Sequence, residues 1–214
     1  MKERPILFSG PMVRAILDDR KTVTRRIVKP QLASKSVSFG CIAGQGFGFI
    51  FGQHDVVVKC PYGTTGDRLW VRETFLELRQ YHLQDPQSVR GAKITVGNRP
   101  VCNGIEYRAD SSGPESERCR KELGYNKWKP SIFMPRAASR ITLEIVSTGV
   151  ERLHNISNKE AEREGFEDTQ TLLSNHSYKL ETAVHKFAEL WKKLNGKESW
   201  DANPWVWRVE FKRV

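Results

Sequence analysis

A lysine and a threonine stand three positions apart in the run DDRKTVTRR, at Lys21 and Thr24, with Arg20, Arg25 and Arg26 around them. A neutral lysine beside a threonine hydroxyl is a base–nucleophile pair, provided that burial or nearby cations lower the lysine's pKa. The three arginines supply such cations and are equally suited to grip phosphates. In a straight strand Lys21 and Thr24 point to opposite faces, so joint chemistry requires a bend between them. On the residues alone, a solvated charged turn is the favoured reading of the run.

Glu164, in KEAEREGF, is the second candidate. It falls near the C-terminal end of a predicted short helix, where the dipole disfavours negative charge and so favours the proton a general acid carries. A surface glutamate is the simpler reading. Arg72 and Glu73, in DRLWVRE, either line a cleft or form an exposed pair on a strand. Arg136, in PSIFMPRAASR, is a candidate phosphate contact. Trp205, with Trp200 and Trp207, could stack on bases; alternation on a terminal strand equally puts one side in a core. Asp67 reads as a turn former that caps its own backbone.

The elements that must position these groups follow from pattern and punctuation. SGPMVRAILDDRK predicts a short helix, with Ser9 or Gly10 as cap, Pro11 at its first position, and Met12, Ala15 and Ile16 on one face. KTVTRRIV is β-branched and predicts a strand, stopped by Pro30, with a polar loop over 31–40. GQGFGFIFGQHDVVVKCPYG predicts a hairpin. Its Gly44, Gly46 and Gly48 are not followed by a helical pattern, so a dinucleotide loop is excluded. TTGDRLWVRETF predicts a turn and a strand with Leu69 and Val71 on one face. Residues 76–130 are polar and irregular, read as an insertion with a strand near GIEYRAD and an exposed loop at DSSGPESER. SRITLEIVSTGVERL predicts a long strand, and NISNKEAEREGF a short helix with Ser157 and Glu160 at capping-box spacing and Gly165 as stop. YKLETAVHKFAELWKKLNG predicts an amphipathic helix with Leu180, Val184, Phe187, Leu190, Trp191 and Leu194 as its stripe, ended by Gly196. NPWVWRVEFKRV predicts a final strand. The order gives an α+β fold, one domain over 1–214, whose strands close into a small barrel flanked by helices.

Composition sets the limits. The chain of 214 residues is 38% hydrophobic and 28% charged, ordinary for a soluble globular protein. No long uncharged apolar run is present, which argues against a spanning helix, and the N-terminus lacks the apolar core of a secretory signal, which predicts a cytoplasmic location. Cys41, Cys60, Cys102 and Cys119 are widely spaced, and His54, His82, His154, His176 and His185 form no ligand-like cluster, so neither a metal nor another cofactor is expected. The net charge of +10 points to a polyanionic partner.

As an ordered set, ILDDRKTVTRR, TGDRLWVRE, SRITLEIV, ISNKEAEREGF, the amphipathic helix and WVWRVEFKRV resemble the ASCH family, a branch of the PUA-like β-barrel folds, in its longer phage and prophage form. A short bacterial member is an amidohydrolase of N4-acetylcytidine, with a lysine and a threonine in a Gly-Arg-Lys-Thr-x-Thr segment and a glutamate in a later helix. The resemblance implies Lys21 as base, Thr24 as nucleophile and Glu164 as acid, with no metal. It implies an N-acylated cytosine nucleoside as substrate, and an RNA- or DNA-binding module, with or without ribonuclease activity, as the alternative. The partner is then a nucleoside or nucleic acid, RNA ahead of DNA, or a host protein met through the insertion. Asp19 departs from the family's glycine, and the insertion and the preceding hairpin have no counterpart in the short enzyme.

Overall fold

The computed structural model describes all residues except 30, 32–37, 43–45, 52–53, 58, 78–93, 97–98, 102–104, 111–127 and 173–177. Most of the expected insertion, including the DSSGPESER loop after Asp110, lies outside the described residues. The chain divides into two compact units. The first comprises Met1–Arg4, Ala15–Leu69 and Thr142–Val214, the second Pro5–Arg14 and Trp70–Ile141.

A five-stranded mixed sheet has the order β1 (Glu3–Leu7), β6 (Arg68–Arg72), β11 (Thr142–Arg152), β14 (Trp205–Arg213), β2 (Val23–Ile27). Within the first unit, Arg68 N donates to Lys2 O and Ile145 N to Asp67 O. Strand β14 pairs antiparallel with β11 and with β2, setting Val209 opposite both Thr148 and Thr24. An open order with β1 and β2 at its two edges corrects the barrel expectation: among the described residues no sheet closes. Closure needs the outermost strands to bond to each other. The alternation of apolar residues in β14 reports which of its side chains are buried, and that is a different property. With the barrel goes the family assignment, because the ASCH and PUA-like resemblance requires a closed barrel.

The first unit's core forms where the sheet meets two helices, α2 (Asn158–Arg163) and α3 (Ala183–Asn195). Leu153, Ile156, Ala161, Ala183, Phe187, Trp191 and Val206 bury one another there. Trp207, Val209 and Phe211 are buried at alternate positions of β14. Helix α3 starts later than its apolar stripe predicts. Thr182 caps it by accepting from His185 N at 3.2 Å, so Leu180 falls in β13 (Tyr178–Glu181), which pairs with β12 (Thr169–Leu172), and is exposed, as is Leu194. Also in this unit, β3 (Ser38–Ile42), β4 (Gly46–Phe51) and β5 (His54–Val57) form an antiparallel sheet, β4 and β5 being the expected hairpin. Among the described residues no helix is long and apolar enough to cross a membrane.

Asp67 does more than close its own turn. Besides Thr64 N at 3.4 Å, it accepts from Lys2 N at 2.8 Å and Arg4 Nη1 at 2.9 Å. These bonds, the one from Lys2 foremost, lower its pKa to about 2.

In the second unit, β7 (Phe75–Glu77) pairs with β10 (Ile105–Tyr107), and β8 (Ile94–Val96) with β9 (Arg99–Val101). Phe75, Tyr107, Met134 and Ala138 form its core. Helix α1 (Gly10–Leu17) starts in this unit and ends in the first. Its deepest positions are Val13, Ala15 and Ile16, with Met12 half-buried. It stops at Asp19, whose φ of 57° is left-handed. Glycine, asparagine and aspartate tolerate that conformation best, so an aspartate fits this position. The reversal lets Arg20 N and Lys21 N both donate to Ala15 O at 2.9 Å.

Candidate functional site

In the first unit the bend after Asp19 turns the Lys21 side chain inward, where it is fully buried. Its Nζ donates to Val23 O at 2.8 Å, Glu164 O at 2.9 Å and Glu164 Oε2 at 2.5 Å. Half of the expected capping box forms: Ser157 Oγ accepts from Glu160 N at 3.2 Å, while the Glu160 carboxylate turns to arginines and not back to the cap, and α2 ends at Glu164. Gly165 follows with φ 95°, and a Cβ there would stand 2.8 Å from Ala15 Cβ and 3.3 Å from Lys21 Cβ. Only glycine permits both the backbone angle and the close approach, so this residue brings the helix end against Lys21. Thr22 N seals the junction by donating to Arg163 O at 2.9 Å.

Arg25 completes the arrangement. Its side chain is fully buried and bonds Glu151 at 2.7 Å, Glu160 at 3.0 Å and Glu164 at 3.3 Å. Glu160 also takes a two-pronged bond from Arg208, at 3.0 and 3.2 Å, and one from Arg163 at 2.9 Å, while Arg163 pairs with Glu210. Burial pulls the Lys21 pKa below its ordinary value, opposed by the adjacent Glu164 carboxylate. The Arg208 bonds, with Arg25 and Arg163 behind them, lower the Glu160 pKa to about 2.

Lys21 and Glu164 therefore meet, but as an ion pair. All three N–H bonds of a lysine ammonium are committed, leaving it no lone pair with which to take a proton. Among the described residues no hydrogen bond joins the Thr24 hydroxyl to Lys21. This pairing, with no barrel to house it, overturns the amidohydrolase reading and its base–nucleophile–acid roles. What the cluster does is hold α2 to β2 and β14. Its acid response follows from the sign of the Glu160 shift. A carboxylate pKa depressed from 4.5 to about 2 contributes stability above pH 4.5 that is lost as pH falls toward 2. Urea unfolding at pH 7 and at pH 3 should show about 1–2 kcal/mol lost through Glu160, after allowance for solvent screening.

Of the remaining expected residues of this unit, Arg26 is near enough to Lys21 to add, behind burial, to the lowering of its pKa. Arg20 is exposed and pairs with Asp18 at 2.9 Å and Glu167 at 3.2 Å. Arg26 is half-buried on β2. Trp205 is half-buried, with the Arg152 guanidinium 4.2 Å from its ring centre.

In the second unit, Arg72 lies 5.3 Å from the Trp70 ring centre and donates to Met134 O at 3.1 Å and to Ile132 O. Arg136 is exposed on the short turn Arg136–Ala138. Glu73 is 2% exposed and takes a fork from Arg140, Nε to Oε1 at 2.9 Å and Nη2 to Oε2 at 3.1 Å. Arg140 also grips Asp110 at 2.6 and 3.0 Å, its guanidinium 4.0 Å from the Tyr107 ring centre. Burial raises the Glu73 pKa, against the pull of Arg140.

Glu73 also lines a cleft of about 360 Å³ with Ser9, Gly10, Pro11, Arg14, Thr74, Arg108 and Ala109. Arg14 Nη1 is steadied by Ala109 O at 2.9 Å, and Arg108 N by Thr74 O at 3.0 Å. Among the described residues neither guanidinium has a carboxylate partner. Sequence reasoning named Glu73 but missed Arg14, Thr74 and Arg108. Arg14 reads as the exposed side of a helix and Arg108 as one charge in a polar stretch, and only folding puts them on one wall.

No family model, curated protein or solved structure matches this chain.

Proposed function

We propose that this chain binds a nucleotide phosphate, free or within a single strand with RNA as the first candidate, in the cleft of the second unit. The carrying observation is the pair Arg14 and Arg108, two arginines lining one concave surface with no carboxylate paired to either among the described residues. The hydroxyls of Ser9 and Thr74 add donors suited to phosphate oxygens. The volume is within the range of small-molecule sites. A net charge of +10 favours such a ligand over a cationic one.

The test is fluorescence anisotropy of a labelled single-stranded RNA across a salt series, with AMP and inorganic phosphate as competitors. Affinity should fall steeply with salt, and Arg14→Ala and Arg108→Ala should each flatten the log–log slope by about 0.7. Competition by AMP alone, without direct binding of the oligonucleotide, identifies the free nucleotide as ligand. Binding of the oligonucleotide that AMP does not displace identifies the strand. Binding of neither ligand, or slopes that the two variants leave unchanged, refutes the reading.

A further inference from the structure

The second unit holds an aromatic ring out to solvent on a basic stretch of chain. Phe133 is 66% and Ile132 55% exposed on the turn Ser131–Phe133. Among the described side chains no other phenylalanine, tyrosine or tryptophan stands so far out. The turn is tied down on both sides. Ahead of it Lys129 N donates to Phe75 O at 2.8 Å, and behind it Met134, 1% exposed, is anchored in the core. Arg72, lying against the Trp70 ring, braces the backbone between by donating to Ile132 O and Met134 O. The surroundings are cationic: residues 123–143 include no aspartate or glutamate, and the exposed Arg136 begins the next turn.

Resting on the phosphate reading above, we infer that this turn is a stacking platform for single-stranded nucleic acid, with a base lying on the Phe133 ring and Arg136 beside the backbone that carries it. An exposed ring on a cationic surface matches the two halves of a nucleotide, a flat base and a phosphate. An acidic peptide would meet the charge and leave the ring bare. Fixing the ring before the ligand arrives lowers the ordering cost of binding. The cleft favours the same partner. Glu73 and Thr74 line it, and Arg72, which braces the platform, directly precedes them in the chain. Arg72 and Thr74 are at most about 7 Å apart along the backbone, so platform and cleft serve nearby nucleotides of one strand. A free nucleotide fills only the cleft, whereas a strand engages both, which makes the strand the preferred ligand.

Fluorescence anisotropy of a labelled oligo(A) of about ten nucleotides, with calorimetric titration of AMP, tests this on the full chain. Oligo(A) should bind at least about tenfold more tightly than AMP, the scale of one stacked base. Phe133→Ala should weaken oligo(A) by about that factor and leave AMP unchanged. Phe133→Trp should bind oligo(A) at least as tightly as the unsubstituted protein, whereas Phe133→Leu, apolar but not flat, should be as weak as Phe133→Ala. A strand of the same length without bases should bind the unsubstituted protein and Phe133→Ala alike. Arg14→Ala should weaken both AMP and oligo(A). Equal oligo(A) affinity in Phe133→Ala, or full binding by Phe133→Leu, overturns the platform, and AMP binding that persists in those variants leaves the phosphate site intact. Binding of polyglutamate that depends on Phe133, where oligo(A) binding does not, overturns it in favour of an acidic protein partner. Failure of AMP and oligo(A) alike to bind removes the phosphate reading itself.

Discussion

Glu164→Ala should cost about 3–5 kcal/mol of unfolding free energy, the scale for removing one partner of a buried ion pair. The substitution strips the Lys21 ammonium of the Glu164 carboxylate at 2.5 Å and removes from Arg25 one of the three carboxylates that bond it among the described residues, both cations having side chains that water does not reach. Lys21 would still bond Val23 O and Glu164 O, so the backbone path is kept while the charge is left uncompensated. Urea denaturation at pH 7, followed by circular dichroism, measures the loss. The double variant Lys21→Met with Glu164→Leu separates charge from shape. Replacing both members of a buried pair by apolar groups is often close to neutral, so the double variant should recover most of what Glu164→Ala loses. A single variant within 1 kcal/mol of the unsubstituted protein would show that the pair does not hold α2 in place.

That pair also shows which parts of the structure are legible in the sequence. Local signals carried over well: Ser157 and Glu160 at their capping spacing, Gly165 as a stop, Leu69 and Val71 buried on one face of β6, and the antiparallel β4–β5 hairpin. Each depends on interactions within a few residues. The approach of Glu164 to Lys21 spans 143 positions, yet both residues were singled out, because a charged side chain beside a helix end or a strand junction is locally conspicuous. Their relation was not legible. An ammonium with three bonds and a free amine poised as a base have the same sequence, and only the positions of Val23 O and Glu164 O distinguish them. The barrel failed for a related reason. Alternation in β14 encodes which side chains are buried, whereas closure depends on whether β1 and β2 bond each other, and no residue pattern within either strand carries that. Leu180 shows a smaller limit of the same kind: it fits the helical stripe by period, but the Thr182 cap starts α3 beyond it.

Arg140→Met should destabilise the second unit by about 2–3 kcal/mol at pH 7, the scale for leaving a buried carboxylate without its donor, the exposed Asp110 contact adding little, and the loss should shrink as the pH is lowered. Methionine keeps a long stem against the Tyr107 ring while removing the fork to Glu73 and the grip on Asp110. Burial works against the Arg140 charge in the unsubstituted protein, yet the two carboxylates more than offset it and hold its pKa above the ordinary arginine value. Glu73 then loses the guanidinium hydrogen-bonded to it, and its pKa, already raised by burial, rises further. The sign follows from proton uptake. A carboxylate whose folded pKa exceeds its unfolded value of 4.5 is fully tolerated below that value, and stability falls as pH rises through the folded pKa. The variant should therefore be closest to the unsubstituted protein near pH 4 and furthest from it above neutrality. Arg140→Lys should restore only part of the stability, because an ammonium cannot fork to both Glu73 oxygens while also holding Asp110. Denaturant midpoints for the three proteins between pH 4 and pH 8 decide the matter. A loss that is constant with pH would mean that Glu73 is not the charge Arg140 compensates.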